Sequence, residues 1–382
     1  MVKKILIIPS SSYSKIKRRL HEIGLALRRR YQVFFLQWEE PSSASPLSKA
    51  MAMASNAFST RGVYEKDDIV FARCPLMHRP LAWAQRFNAH SMQRLLIQQK
   101  IDILINGIHY FFPAPEREKY SYKHIFDIND LPAEETHSFL GRNSFEFAKT
   151  QAHHADAVTA CSQGLSDYAS SQFGRLSHYI PNGANIAELK NINPQAVEII
   201  RRQYNISGKF VIGYIGYVGD WVNIDLLIQA FSVFRQKRPD SALLIVGSGP
   251  QAEAHRKKNK DGNIIFTGGI EPHEIAAYFG AIDLGVIPSK RSFFQDVAFH
   301  LKLIEYTAAD KPVISAPLAE VKRMNLPNVL IADLKVNEWV AAFEKARFVT
   351  WNPAWNTLVN EYDWQIIAEK FSSVIESLYQ ND

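Results

Sequence analysis

Residues 299–320 read FHLKLIEYTAADKPVISAPLAE, a helix, a stop and a short apolar strand in immediate succession. Leu301, Leu303, Ile304 and Ala308 recur at helical spacing, and Lys302, Glu305 and Tyr306 fall within one turn, where their polar ends can converge on a ligand. Asp310-Lys311-Pro312 ends the helix, and Val313-Ile314-Ser315 reads as a buried strand. A helix N-terminus beside a lysine suits a diphosphate, because free N–H groups, the helix dipole and an ammonium all favour anionic oxygen. A carboxylate one turn deeper can accept hydrogen bonds from a ribose diol, which separates the task of Glu305 from that of Lys302. An ordinary amphipathic helix with a solvated Lys302 and Glu305 fits the same spacing, so the stretch alone leaves both readings open.

The alternation of strand and helix extends upstream. Phe210 to Ile215 runs into a glycine-bearing turn, Gly216 to Trp221, and then a helix from Val222 to Lys237. Ala242–Val246 leads into Gly247-Ser248-Gly249-Pro250, Ile264–Thr267 into Gly268-Gly269, and Ile282–Ile287 into Pro288-Ser289. Such alternation predicts a parallel sheet with helices on both faces. Gly213, Gly216 and Gly219 let backbone approach a pyrophosphate, but their spacing is not the dinucleotide fingerprint and no acidic residue stands where it would bind a ribose diol, which disfavours a Rossmann dehydrogenase. The loop Ser289 to His300, with Lys290, Arg291 and Asp296, is expected to cover a ligand at this edge.

In the first half, Lys4–Ile8 reads as a buried strand followed by a serine-rich loop and a helix through Arg30, and Val33–Leu36 as the next strand. Loops at the carboxyl ends of such strands line the ligand crevice, which brings Ser11 and Tyr13 forward as acceptor-side candidates; a plain serine turn is the competing reading. Pro41 to Thr60 carries weak periodicity and receives no assignment. Ile69–Ala72 and Ile101–Ile105 read as strands, Trp83–Gln99 as a helix, and Ile108–Phe112 as core or cleft wall or as a wall facing an acceptor or a membrane, which sets His109 with Ser11 and Tyr13 on the acceptor side. Tyr122–Phe126 delivers Asp127 and Asp130 to a strand end, where a carboxylate can take a proton from an attacking hydroxyl. Asp130 is favoured over Asp127, which alternation turns with the strand; an Asx-turn before Pro132 also fits. His109 and His137 rank below both carboxylates. Phe145–His154 reads as a helix, Ala157–Ala160 as a strand, Ser162 as a helix cap, and Tyr362–Leu378 as a terminal helix.

At 382 residues and 47% hydrophobic composition the chain can bury two α/β cores. No apolar run reaches membrane-spanning length and Lys3–Pro9 is too short for a signal h-region, so a cytoplasmic protein is expected. Cys74 and Cys161 have no metal-ligand or disulfide spacing. The net charge of +6 is concentrated in Lys15, Lys17, Arg18, Arg19 and Arg28–Arg30, which suits an anionic membrane surface or a solvated helix face. No nucleic-acid-binding motif accompanies the cluster.

The run Lys302-Leu-Ile-Glu305-Tyr306-Thr-Ala308-Ala-Asp310-Lys-Pro312-Val-Ile314 is similar to the KLxEYxAxGKPVI signature of GT4-like nucleotide-sugar glycosyltransferases. Asp156–Ser162, Ile180-Pro181-Asn182-Gly183, the VGSGP element and the FTGGIEPHEIAAYF stretch resemble further family elements in the same order, so the likeness covers most of residues 120–345. It implies a GT-B fold, two Rossmann-like doubly wound domains facing across a cleft: residues 1–183 for the acceptor, 184–355 for the donor, and 356–382 as a helix returning to the first domain. It further implies transfer of a sugar from a UDP- or GDP-sugar to a hydroxyl of a glycan or lipid-linked acceptor, with no cofactor or metal required. Glu305 inherits the donor ribose. Gly216, Gly219, Ser289, Lys290, Arg291, Lys302 and Leu303 inherit the rest of the donor, the backbone of Gly269, Ile270 and Glu271 holds the base, and Asp130, Asp127 and Lys302 are the catalytic candidates. Four positions depart from the pattern: Asp310 replaces Gly, Val297 the first glutamate of the E-x7-E pair, Tyr217 an arginine and Val222 a lysine. Those losses keep two other readings open, a nucleotide-sugar epimerase or hydrolase on the same fold and a non-catalytic partner subunit. Peripheral contact with an anionic membrane is a further expectation.

Overall fold

Strands buried on both faces need near-continuous apolar runs, and Ile5 to Ile8 answers with four consecutive side chains at 0% exposure. The computed structural model describes residues 2–13, 17–39, 46–77, 81–107, 112–118, 120–131 and 139–380. The chain divides into two compact units, Met1–Asn182 with Trp364–Asp382, and Gly183–Asp363.

The first unit holds β1 (Lys4–Ile8), β2 (Gln32–Leu36), β3 (Gly62–Lys66), β4 (Ile69–Arg73), β5 (Ile103–Gly107), β6 (Lys123–Ile128), β7 (Ala157–Ala160) and β8 (His178–Tyr179) in the order β3-β4-β2-β1-β5-β6-β7-β8. All described pairings are parallel except β3 with β4, an antiparallel hairpin closed by Asp67 and Asp68 at φ 52° and 58°. Two central residues with positive φ match the strand twist in a tight hairpin, and short acidic side chains tolerate that region. Alternation along β1 sends Ile5 and Ile7 to one face, with Leu20, Ile23 and Phe35, and Leu6 and Ile8 to the other, with Trp38, Leu95 and Leu104. The terminal helix Trp364–Ser377 adds Ile367, Phe371 and Ile375 to the first of these faces, beside the helix Arg19–Leu27. The segment left unassigned from sequence contains the helix Pro46–Ala57.

The second unit holds β9 (Phe210–Ile215), β10 (Ser241–Val246), β11 (Ile264–Gly268), β12 (Leu284–Ile287), β13 (Val313–Ser315) and β14 (Val329–Ile331), all parallel, in the order β11-β10-β9-β12-β13-β14. Helices on one face contribute Phe279, Leu303, Ile304 and Tyr306 to the core, and those on the other Leu227, Phe231, Phe234, Trp339 and Phe343. Each sheet is therefore doubly wound, and the carboxyl ends of its parallel strands lie along one edge, where such folds place their ligands.

Candidate active site

Along that edge of the second unit the chain turns on glycine. Gly216 N–H donates to Val246 O at 2.9 Å, Val218 N–H to Ser248 O at 3.0 Å, and Gly247 N–H to Gly268 O at 3.0 Å, so the exits of β9, β10 and β11 are laced together by main chain. Gly247 has φ 130°, and a Cβ there would stand 2.0 Å from Gly216 O; no other residue fits without moving backbone. The exit of β12 is bound to the same edge by the Val222–Ser289 bridge and by Lys290 N–H donating to Trp221 O at 2.7 Å.

The helix Leu301–Ala308 brings Lys302 against this edge, with its Cε 3.9 Å from the place a Gly216 Cβ would take. Lys302 Nζ lies 2.6 Å from Glu305 Oε2 and 5.3 Å from the Phe279 ring centroid. The ion pair is Coulombic rather than directed: Glu305 Oε2 is buried and accepts no hydrogen bond of acceptable geometry. The ammonium offsets the cost of burying that carboxylate oxygen, and a ribose hydroxyl would add the directed donor it lacks.

Other expectations for this helix are corrected. The Tyr306 hydroxyl does not face a ligand; the residue is 0% exposed, its oxygen accepts from Ile215 N–H at 2.9 Å and donates to Gly213 O at 3.2 Å, fastening the helix to β9. Leu303 is also fully buried, and its N–H already donates to His300 O at 2.9 Å. Gly219 is covered by the Trp221 indole, whose Cζ3 lies 2.4 Å from where its Cβ would be, so the space a side chain would take is filled by an aromatic ring. Glu271 N–H is used by Glu274 Oε2 at 3.3 Å, and Ile270 is half-buried against the core, while Gly269 is exposed. Ser289 is buried, Lys290 is exposed, and Arg291 pairs with Asp296 at 3.0 Å. The loop beyond them is partly helical over Phe293–Val297, capped by Ser292 accepting from Gln295 N–H at 3.2 Å. Val222 and Val297 are both buried, so the two missing charges are replaced by packing.

In the first unit the two carboxylates part company. Asp127 is 0% exposed and held by Arg19, with Nε at 2.9 Å from Oδ2 and Nη2 at 3.0 Å from Oδ1, while Thr159 Oγ1 donates to Oδ1 at 2.6 Å. Arg19 Nη1 also donates to Pro181 O at 2.7 Å. A carboxylate so fully paired is an anchor between the helix Arg19–Leu27 and strands β6 and β7, which removes Asp127 as a candidate base. Asp130, in the loop after β6, is exposed, yet lost hydration among surrounding protein raises its carboxyl to about 6, against the lowering effects of Leu131 N–H and Arg18. Ser11 contributes its carbonyl to His21 Nε2 at 3.1 Å, and Tyr13 packs edge-on to His21 and Phe71. Burial drives His21 down to about 4, so it is neutral, with Nδ1 accepting from Arg18 N–H at 3.0 Å. His109 and His137, like Lys15, lie outside the described residues.

The basic cluster is not one surface. Arg19 is consumed by Asp127, Arg28 donates to Asp68 O, Arg30 lies 3.5 Å from Glu376, and Lys17, Arg18 and Arg29 are exposed. No helix among the described residues is long and apolar enough to cross a membrane, and no acidic, histidine or cysteine group among them is arranged to hold a metal ion.

Residues 209–346 match the family model described as glycosyl transferases group 1. A Bacillus subtilis glycosyltransferase named for teichuronic acid biosynthesis is 30% identical over 184 residues, 46% of this chain and 44% of that protein. The lipopolysaccharide 1,2-N-acetylglucosaminetransferase of Salmonella typhimurium is 26% identical over 221 residues, 52% of this chain and 56% of its own. The GDP-mannose-dependent alpha-(1-6)-phosphatidylinositol monomannoside mannosyltransferase of Mycolicibacterium smegmatis is 27% identical over 169 residues, 42% of this chain and 44% of its own. The chain thus spans about half the length of the curated relatives it matches. Among solved structures, sucrose-phosphate synthase of Thermosynechococcus elongatus aligns over 100% of both chains with a TM-score of 0.73 at 17% identity. HepE of Anabaena in complex with UDP aligns over 98% of this chain and 100% of its own with a TM-score of 0.69 at 18% identity. The fold is GT-B.

Proposed function

We propose that this chain, whose residues 209–346 match the family model of glycosyl transferases group 1, moves a sugar from a nucleotide-diphosphate donor to a hydroxyl of a glycan or lipid-linked acceptor. The observation that carries the reading is the buried Glu305 Oε2, which lacks a directed donor while standing 2.6 Å from Lys302 beside the Gly216 turn. In this reading Glu305 accepts from the ribose diol, and Lys302 opposes the charge that grows on the leaving diphosphate. UDP and GDP are the donors to test first, since a solved neighbour was crystallised with UDP and a relative is named as GDP-mannose-dependent.

On the first unit Asp130 takes the acceptor role. A carboxyl raised to about 6 is a better proton acceptor at neutral pH than an ordinary aspartate and is still ionised there. Asp130→Asn is expected to lower turnover by roughly 10² to 10⁴ with donor affinity unchanged, and less if the residue only orients the acceptor. The exposed Lys17, Arg18 and Arg29 are the proposed contact with anionic lipid, at about 1 kcal/mol for each cation at the surface.

Calorimetric titration with UDP and GDP, repeated on Glu305→Gln and Lys302→Ala, tests the donor site. Each change is expected to weaken binding by about 1.5–3 kcal/mol, the scale of a hydrogen bond to a charged group. Unchanged affinity in both variants would remove this helix from the donor site. Labelled UDP- and GDP-sugars, incubated with and without glycan acceptors, separate transfer from acceptor-independent conversion and from inactivity.

A further inference from the structure

The turn after β9 carries an exposed aromatic pair that the donor reading does not use. Tyr217 is 56% exposed and Trp221 45%, with ring centroids 5.7 Å apart and planes inclined by 30°. Large aromatics left in water at a ligand-binding edge are informative because burial elsewhere would be favourable. Both are held in place. The benzo ring of Trp221 lies across Gly219, where any side chain would collide with it, and its carbonyl accepts from Lys290 N–H at 2.7 Å. Tyr217 O accepts from the Tyr214 hydroxyl at 2.8 Å, and Asn223 N–H donates to Pro288 O at 2.8 Å. The turn that presents the pair is thus fixed before any ligand arrives, which lowers the cost of ordering it.

We infer that Tyr217 and Trp221 form a stacking platform for the apolar face of a pyranose ring, an inference that rests on the glycosyl-transfer reading above. Three observations select this occupant. The rings share their turn with the exposed Asp220 and are tied through main chain to the exposed Lys290, polar neighbours that suit a ring with C–H bonds on its faces and hydroxyls at its edge. The pair sits at the β9–β12 side of the sheet, whereas the segment 268–271 lies two strands away at β11. Two side chains of about 150–250 Å² each fall short of the roughly 800 Å² per partner that a stable protein interface needs. The platform also explains why Tyr replaces the expected arginine at 217: a flat apolar surface takes the place of a phosphate-binding cation, and Lys302 is left to carry the charge.

The test compares nucleotide with nucleotide-sugar. UDP, UDP-glucose, UDP-N-acetylglucosamine, GDP and GDP-mannose are titrated against the full chain and against Tyr217→Ala, Trp221→Ala and Trp221→Phe. If the ring belongs to the donor, both alanine variants weaken the sugar-bearing ligand roughly tenfold while the bare nucleotide moves less than about twofold, and Trp221→Phe retains most of the affinity. If the ring belongs to the acceptor, donor affinities stay constant, and N-acetylglucosamine or mannose at millimolar concentration quenches tryptophan emission of the nucleotide-bound chain but not of Trp221→Phe. Neither signal in a chain that binds nucleotide overturns the platform alone. Equal losses of nucleotide and nucleotide-sugar overturn it as well, by tracing the effect to the shape of the turn. A wild-type chain that binds none of the five ligands overturns both the donor reading and the platform.

Discussion

The two units settle the carboxyl ends of their strands with different materials. The first uses side chains from distant parts of the sequence: Arg19 meets Asp127 across 108 positions, and Thr159 Oγ1 donates to the same carboxylate at 2.6 Å. The second uses main chain, with the turns at Gly216, Gly247 and Gly268 bonded to one another and the ion pair of Lys302 with Glu305 beside them. A site built of backbone keeps its shape when neighbouring side chains change, whereas a buried ion pair fails when either partner is lost.

The largest expected effect tests the side-chain half of that contrast. Asp127→Leu leaves the Arg19 guanidinium buried and unpaired, and is expected to destabilise the first unit by about 3–5 kcal/mol in urea denaturation. Adding Arg19→Met should recover much of the loss, and UDP or GDP binding by the second unit should persist throughout. Full stability of the single variant would show that the pair is not what holds this edge.

Acidification should separate the units next. Burial lowers His21 to about 4 and His124 to about 3, below the ordinary 6.5, with Arg18 and Lys17 adding to the shift at His21 and Arg117 at His124, where Asp156 opposes it. The unfolded chain therefore protonates first, so stability is present above about pH 6.5 and falls as pH drops toward 4. The slope is about 1.4 kcal/mol per pH unit for each histidine, or about 3 kcal/mol over the span of His21. Replacing His21 with Gln should remove about half of the slope between those limits, His124 keeping the rest; an unaltered slope would refute the assignment.

Backbone crowding supplies the third effect. Gly247→Ala places a Cβ within 2.0 Å of Gly216 O at φ 130°. About 1–3 kcal/mol of strain is expected, read as a lower melting temperature together with weaker nucleotide binding. If stability falls and binding does not, the laced turns frame the sheet edge without shaping the ligand site. The smallest effect compares caps: Ser162→Ala removes the acceptor for Leu165 N–H in the first unit and Ser292→Ala that for Gln295 N–H in the second. Each should cost about 1 kcal/mol, with only the second altering donor affinity, because only Ser292 borders the donor loop.

Local patterns were enough for the second unit. Strand β9 and its glycine turn, the helix Leu301–Ala308 and strand β13 all follow from periodicity and breakers within a few residues, and the cap at Ser162 in the first unit is equally local. Strand β4 was legible, but its hairpin partner β3 was missed because Asp67-Asp68 is a weaker turn signal than a pair containing glycine, and the helix Pro46–Ala57 because its apolar face is formed by small and flexible residues. The order of motifs and the parallel α/β architecture were determined by the sequence alone, since apolar spacing and turn residues act over short range. Only the tertiary structure decided what individual side chains do. It turned Tyr306 into a strand fastener, Gly219 into a seat for Trp221, Arg19 from a surface cation into the partner of Asp127, and left Glu305 Oε2 without a directed donor. Those outcomes depend on which groups meet after the chain has folded, and burial and pairing between residues so far apart leave no local trace.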